Sequence, residues 1–255
     1  MRRASIFLML LALLVPITSL SYASYQVANI SVNVALNQNL SARVNESMQV
    51  IISNQSVKQY STSRSAINLT LSGWQQIVGP MLVPHIINPS GSIYGLNFLP
   101  GPAIPSGNGY MANIIMTYYV SNVTTVNQIS PRVYQYKFNS KVFNFEHGVS
   151  GEILSPNTTL TISVPSGAYI KTVYPLQDTP PYTFAGNYKN ITSVSWSSGE
   201  PLSKFTFEFV VKQPIREEVE NFFLSVYKRL GIYSYIIIVL IILTFVLYSY
   251  YRAGR

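Results

Sequence analysis

Cysteine is absent from this 255-residue chain, and charged residues make up only 10% of it. Without cysteine there is no disulfide framework, no thiolate metal site and no thiol nucleophile, so the fold must be stable through its hydrophobic core. Acidic groups and histidines are also scarce: the chain has one aspartate, Asp178, and two histidines, His85 and His147. The formal net charge of +8 is scattered and forms no basic stripe, which argues against a nucleic-acid partner.

The sequence also lacks the common catalytic motifs. It contains no nucleophile elbow, metalloprotease helix or phosphate-binding glycine loop. Glu146 and His147 are adjacent, but neighbouring residues of a strand point to opposite faces. Glu152 and Asp178 have the residue types of a glycosidase pair, although nothing in the pattern brings them together. We therefore expect a protein without enzymatic activity, cofactor or metal, with a hydrolase as the less favoured alternative.

Two hydrophobic segments lie at opposite ends of the chain. At the N-terminus, Arg2 and Arg3 precede an apolar run from Ile6 to Val15, and Ser21-Tyr22-Ala23 follows. A basic start, a short apolar core and small residues two apart predict a secretory signal peptide over residues 1–23, cleaved after Ala23. An uncleaved signal anchor is the alternative.

The C-terminal segment, Ile232 to Tyr251, is uncharged and has tyrosines at both ends. About twenty residues at a helical rise of about 1.5 Å match the ~30 Å hydrocarbon core of a bilayer. Tyrosines at both ends are typical of the two headgroup layers. This segment predicts a transmembrane helix over 232–251 and a cytoplasmic tail of residues 252–255, with the large N-terminal domain extracellular. A buried core helix is the alternative.

Every N-glycosylation sequon lies between these two segments. Eight asparagines start an N-x-S/T pattern: Asn29, Asn39, Asn45, Asn54, Asn68, Asn122, Asn157 and Asn190. Five of them fall between residues 29 and 70, which makes that stretch the expected glycan-bearing surface. The high content of Asn, Ser and Thr accounts for part of this number by itself.

The region between the two ends alternates apolar and polar residues with a period of two. This alternation occurs in the runs Ile30–Leu36, Met48–Ile52, Ile67–Leu71, Leu160–Val164 and Phe205–Val211. Such runs predict half-buried antiparallel strands. We expect a mainly β protein with two tandem antiparallel β-sandwich domains, residues 24–130 and 131–213. One continuous larger sheet structure is the alternative. Each half has one tryptophan, Trp74 or Trp196, expected in the core rather than stacked on a carbohydrate.

The segment from Gly79 to Gly109 contains six prolines. Because proline cannot donate to a strand ladder, this segment predicts a loop with short edge pieces such as residues 93–98. Its apolar residues leave two interpretations: a partner-binding surface, or a packed connector that covers a sheet.

An amphipathic juxtamembrane helix is predicted over residues 214–230. Pro214 stands at its start, Lys228 and Arg229 in its last turn, and Gly231 just beyond it. Its apolar residues recur at spacings of three and four: Ile215, Val219, Phe222, Phe223, Val226, Tyr227 and Leu230. This stripe is expected to pack on the second β-domain, to lie in the headgroup layer, or to pair with another chain.

The whole layout, with Val164-Pro165-Ser166-Gly167-Ala168 and the Phe222-Phe223 helix, resembles archaeal cell-surface membrane proteins of unknown function. More distantly it resembles the lumenal part of ribophorin I, an accessory subunit of oligosaccharyltransferase. The latter resemblance implies a scaffold beside a membrane glycosylation machine and carries no active-site residue.

From the sequence we expect a membrane-anchored extracellular protein for binding, adhesion or envelope organisation. Its expected partners are the lipid bilayer and another membrane protein or a surface glycan. An accessory subunit of a membrane complex is the alternative.

Overall fold

A computed structural model describes residues 25–66, 70–148, 151–175, 191–197, 199, 201–202, 204–231 and 233–253. The predicted signal peptide with Ala23, the sequon residues Asn68 and Asn190, and Asp178 lie outside these residues.

Strands dominate the described part of the chain. They are β1 (Tyr25–Leu36), β2 (Ala42–Ile52), β3 (Tyr94–Pro100), β4 (Ile104–Ser106), β5 (Gly109–Val120), β6 (Thr124–Ser130), β7 (Val133–Phe138), β8 (Glu146–Gly148), β9 (Gly151–Ile153), β10 (Thr158–Ser163), β11 (Ala168–Tyr174), β12 (Ser193–Trp196) and β13 (Thr206–Lys212). The helices are α1 (Val57–Ser65), α2 (Leu71–Val78), a 3₁₀ turn (Ser140–Val142), α3 (Ile215–Leu230) and α4 (Tyr233–Ala253). The expectation of a mainly β fold is confirmed.

The larger sheet has seven strands in the order β12-β10-β1-β2-β5-β3, with β4 also paired to β5. Its long strands alternate between a buried face and an exposed one, as in β2, where every second residue is buried. All pairs in this sheet are antiparallel except β1 with β10, which run parallel. A parallel pair needs a long crossover, and here most of the sheet's other strands lie between the two in sequence.

The smaller sheet has four strands in the order β11-β13-β7-β6, and β8 with β9 forms a separate two-stranded ribbon. One continuous hydrophobic core includes residues of both large sheets. Trp196 of the seven-stranded sheet contacts Phe207 of the four-stranded sheet edge to face, with ring centroids 6.2 Å apart. The expected burial of both tryptophans is confirmed, since Trp74 and Trp196 belong to this core.

The expected division into tandem sandwiches after residue 130 does not match this strand order. Strands β10 and β12, from beyond residue 130, complete the larger sheet, and β6, from before it, is the edge of the smaller sheet. The reason is that strands far apart in sequence pair with each other. Strand β1 pairs with β10 from Ile30↔Thr158 to Ala35↔Ser163. The two halves are interleaved around one core.

Helices α1 and α2 follow β2 and were not predicted. The period-two run at Ile67–Leu71 indicated a strand, and its residues 67–69 lie outside the described residues. Leu71 begins a helix whose N-cap, Thr70, accepts a hydrogen bond from Gly73 N–H. Leu71, Trp74 and Val78 recur at helical spacing, and Trp74 and Val78 are buried. In this short segment the helical period decided the structure, because Trp74 completes the core beside β3.

The proline-rich segment has two different parts. Residues 80–88 form a packed connector, with Leu82 and Ile86 fully buried and Ile86 bridged to Phe143. Residues 94–106 contain the edge strands β3 and β4, which carry exposed apolar side chains. The interpretation as a packed connector is confirmed for residues 80–88, and a partner-binding surface stays a prediction for residues 94–106.

The two C-terminal helices follow β13. The helix predicted over residues 214–230 is confirmed as α3, with Pro214 at its N-cap and Gly231 at its C-cap. Helix α4 follows with 21 residues, of which the side chains at 234–238 and 241 are not described. Over the part of the chain that the structure describes, no helix has the length and apolar character needed to span a membrane.

Candidate functional site

The most unusual side chain in the core is Glu46. It lies on β2 at an inward-facing position, between the buried residues Val44 and Met48, and only 1% of it is exposed. A charged group in such a place needs hydrogen bonds to offset the loss of hydration. Glu46 obtains them from two sequence-distant residues, His85 and Tyr118.

Three donors converge on the Glu46 carboxylate. The His85 backbone N–H donates to Oε1 at 2.8 Å, and His85 Nδ1 lies 2.7 Å from Oε2. The Tyr118 hydroxyl also donates to Oε1. An ionised carboxylate only accepts, so with Glu46 ionised the ring proton of His85 would be on Nδ1. We call these three residues the buried triad.

Each member of the triad is held by a different element. Glu46 comes from β2, and Tyr118 from the inward face of β5, its neighbour in the sheet. His85 comes from the packed connector, whose backbone also pairs with the segment after the 3₁₀ turn: Asn144 N–H donates to His85 C=O at 2.8 Å. The His85 ring stacks on Phe145, with centroids 5.2 Å apart. The triad therefore ties the connector to the centre of the larger sheet.

The surroundings raise the pKa of Tyr118 far above its ordinary value of 10.0. Burial is the main cause, and the charge of Glu46 and the hydrogen bond to it add to the effect. The backbone N–H of Ile86, which donates to the Tyr118 hydroxyl at 3.1 Å, works in the opposite direction. Tyr118 is therefore a permanent donor to Glu46 rather than an acid.

His85 also lines a cavity of about 260 Å³ at the surface. The wall contains Pro80, Met81, Val83, His85, Asn144, Phe145, Glu146 and Ser155. A carboxylate, a histidine and a serine hydroxyl thus meet in one region, as in hydrolases. No hydrogen bond joins His85 to Ser155 among the described residues.

The acid and histidine residues singled out in the sequence lie elsewhere. Glu146 and His147 are on the short strand β8, and His147 pairs with Glu152 across the ribbon. Burial raises the pKa of Glu152, and the nearby His147 acts against this. Within the described residues, no group of three or more His, Cys, Asp or Glu side chains could hold a metal ion.

The six described sequon asparagines are all exposed: Asn29, Asn39, Asn45, Asn54, Asn122 and Asn157. Two of them also have a conformational reason to be asparagine. Asn122 and Asn157 adopt φ of 57° and 61°, a left-handed turn conformation that asparagine tolerates better than most residues. Asn45, by contrast, lies in the middle of β2 and projects from the outer face of the larger sheet.

The apolar stripe of α3 is exposed at the positions that the structure describes. Val219, Phe222 and Tyr227 are exposed and Val226 is half-buried, while the side chains of Ile215, Phe223 and Leu230 are not described. Val219, Phe222 and Tyr227 keep about half of their surface open, so the expected packing on the second β-domain does not cover them completely. Their exposure leaves a lipid or protein surface as the expected covering.

A second exposed apolar surface lies at the edge of the larger sheet. We call it the edge patch; it consists of Tyr94, Leu96, Leu99, Ile104 and Tyr119, each at least 38% exposed. The Tyr94 and Tyr119 rings stack, with centroids 5.7 Å apart. Prolines at 100, 102 and 105 interrupt this edge, which limits continuous strand pairing with another chain.

Neither a protein-family model nor a curated protein matches the chain.

Sequence reasoning missed the buried triad. The signal for one member was present, because extending the alternation of Met48, Val50 and Ile52 backwards by two residues places Glu46 on the core face. On β5 the same alternation, with every second residue facing the core, places Tyr118 inward. No comparable pattern identifies His85, which lies in an irregular segment 39 residues from Glu46.

Proposed function

We propose that this chain is a membrane-anchored surface protein whose β-domain faces outward and binds a partner without catalysis. The observation that carries the proposal is the exposed apolar stripe of α3, followed after Gly231 by the apolar run of residues 232–251. An amphipathic helix directly before an uncharged run of about twenty residues suits a position in the headgroup layer. Lys228 and Arg229, at the end of α3, would meet anionic lipid headgroups there.

We propose a protein without catalysis because the hydrogen bonds of the buried triad serve the core. Glu46 accepts three hydrogen bonds within the core, and the three residues hold the packed connector against the sheet. This arrangement supports a structural role for Glu46. Labelling of Ser155 by a fluorophosphonate, a reagent that attacks activated serines, would contradict a non-catalytic protein.

The alternative is an accessory subunit of a membrane complex, such as a glycosylation machine. The two functions differ in the surface that the partner covers. A partner on α3 would favour the accessory subunit, and a partner on the edge patch would favour surface recognition. Both surfaces carry such side chains, with Phe222 62% and Ile104 61% exposed. We favour surface recognition because the proposed contact with the bilayer would cover the α3 stripe and leave the edge patch open.

Extraction from membranes tests the anchor, which is the part of the proposal based on sequence alone. The full chain is expected to remain in the membrane pellet after treatment with alkaline carbonate. A chain that ends at residue 213, and so lacks α3 and α4, is the matched control and is expected in the supernatant. Recovery of the full chain in the supernatant would sink the proposed anchor.

The orientation has its own experiment. Replacing Asn45 by Gln removes one exposed sequon in the middle of β2 and is expected to reduce the mass of the mature protein by one glycan. The Asn33→Gln variant changes an exposed asparagine of the neighbouring strand β1 that starts no sequon, and no mass change beyond the substitution is expected. A chain that carries no glycan at any sequon in a glycosylating host would contradict an outward-facing domain.

A further inference from the structure

The cavity beside His85 has features of a built binding site. Its two most buried polar residues are His85, 4% exposed, and Ser155, 2% exposed. The described residues provide no hydrogen-bond partner for His85 Nε2 or for Ser155 Oγ. Yet the only fully buried side-chain polar atoms left unpaired in the described part are the hydroxyls of Thr124 and Thr158. His85 Nε2 and Ser155 Oγ are therefore not fully enclosed, and both residues line the cavity.

The orientation of His85 is set before any ligand binds. Its Nδ1 is held by Glu46, its backbone N–H by the same carboxylate, and its ring face by Phe145. A ring fixed on three sides presents Nε2 in one direction at little further cost in entropy. Glu46 thus serves as a positioning residue for the site, in addition to its role in the core.

The other side chains that line the cavity restrict which kinds of ligand can bind there. Asn144 uses its Nδ2 to donate to Pro84 C=O at 2.8 Å, so its amide oxygen remains to accept. Glu146, exposed on β8, adds a carboxylate acceptor. Met81 and Val83 supply apolar contacts on the connector side. A ligand must therefore offer several donors on one side and C–H groups on another.

A hydroxyl group suits these partners better than a purely cationic or anionic group. It both donates and accepts, so it can bind His85 Nε2 whether the ring is neutral or charged, and it can bind Ser155 Oγ in either sense. A ring that carries several hydroxyls also has C–H faces for Met81 and Val83. The volume of about 260 Å³ admits one such ring rather than a chain of them.

We propose that the cavity lined by His85, Ser155, Asn144 and Glu146 binds one neutral sugar ring, as a free monosaccharide or as the terminal unit of a glycan. This inference goes beyond the proposed function and does not depend on the membrane anchor. It adds a small-ligand site beside the packed connector to the partner surface proposed at the edge patch.

Saturation-transfer NMR on the full chain tests the site with glucose, galactose, mannose and N-acetylglucosamine as probes. The chain should be held in a detergent without a sugar headgroup, because a maltoside would compete for the cavity. At least one probe is expected to show saturable transfer with a Kd on the order of 1 mM, typical of a few hydrogen bonds to a small ligand. Ser155→Ala and Glu146→Gln are each expected to weaken that binding roughly 5- to 20-fold.

The matched control is Glu208→Gln, which makes the same charge change at a separate surface cavity of about 240 Å³. This variant should bind as the unaltered chain does. Three results would overturn the proposal: no saturable transfer from any probe, unchanged binding in Ser155→Ala, or tighter binding of methylammonium than of every sugar. His85→Gln is a second variant at the site, and thermal unfolding of all variants shows whether a loss of binding reflects a loss of fold.

Discussion

At the scale of single residues, the stability of the core depends on how Glu46 is satisfied. Removing its carboxylate would leave the Tyr118 hydroxyl, the His85 backbone N–H and His85 Nδ1 without their acceptor. Each buried group left without its partner costs about 1–3 kcal/mol, and three such groups would result here.

We therefore expect Glu46→Ala to lower the free energy of unfolding by about 3 kcal/mol or more, measured by urea denaturation of the full chain. Glu208→Ala, in a half-buried position on β13 that accepts one hydrogen bond from Gln135, should cost less than about 1 kcal/mol. Equal effects in the two variants would show that the triad contributes nothing beyond an ordinary surface contact.

The raised pKa of Tyr118 predicts that the free energy of unfolding decreases at alkaline pH. Its pKa is raised in the folded state, so between the unfolded value of 10.0 and the folded value the native chain holds a proton that the unfolded chain has lost. Stability is therefore complete below pH 10 and decreases as the pH rises above it. Tyr60, whose pKa burial raises to about 12, contributes in the same direction.

In Tyr118→Phe the dependence of unfolding free energy on pH above 10 is expected to be shallower by about 1.4 kcal/mol per pH unit, the value for one proton. Denaturation at a series of pH values measures this slope. Tyr94→Phe, at an exposed position of the edge patch, is the control and should leave the slope unchanged. An identical slope in Tyr118→Phe and the unaltered chain would contradict the argument.

At the scale of elements, α3 gives the sharpest experiment because the chain lacks cysteine. A single introduced cysteine can therefore carry an environment-sensitive dye at one chosen position. The dye on Phe222→Cys is expected to emit at shorter wavelength and to be quenched by brominated lipids, because Phe222 belongs to the exposed apolar stripe.

Glu220→Cys is the matched position two residues earlier, on the opposite side of the helix, and its dye should behave as in water. Protection of both positions would indicate that protein surrounds α3 and would favour the accessory-subunit alternative. Exposure of both to water would contradict contact between α3 and the bilayer.

In the proline-rich segment, the sequence predicted the edge strands but not the burial of the connector. Prolines in residues 79–109 correctly predicted edge pieces, because proline cannot donate to a ladder. The same pattern contained no sign that residues 80–88 pack inward. Their burial depends on Glu46 and on Phe143, which lie far away along the chain.

At the scale of the whole molecule, the two halves of the β-domain depend on each other. The larger sheet needs β10 and β12, and the smaller sheet combines β6 with strands from the second half. Separate chains of residues 25–130 and 131–213 would each expose half of one core.

We expect neither fragment to fold alone, and we expect their mixture to regain dispersed amide NMR signals. The intact stretch 25–213 is the control and should give a dispersed spectrum. Cooperative unfolding of either fragment by itself would favour two independent sandwiches after all.

Some properties of this protein follow from short-range patterns that the sequence contains in full. A period of two places Val32, Val44 and Phe207 inward wherever the strands pair, because adjacent side chains of a strand must alternate. The bounds of α3 follow from Pro214 and Gly231, which act within one helical turn.

Only the tertiary structure decided which distant segments meet. The parallel pairing of β1 with β10, the shared core of the two sheets and the contact between Glu46 and His85 all join residues far apart in sequence. Such contacts depend on the chain topology and the packing of the complete core, and no local period encodes them. The cavity beside His85 exists for the same reason, because three separate segments form its wall.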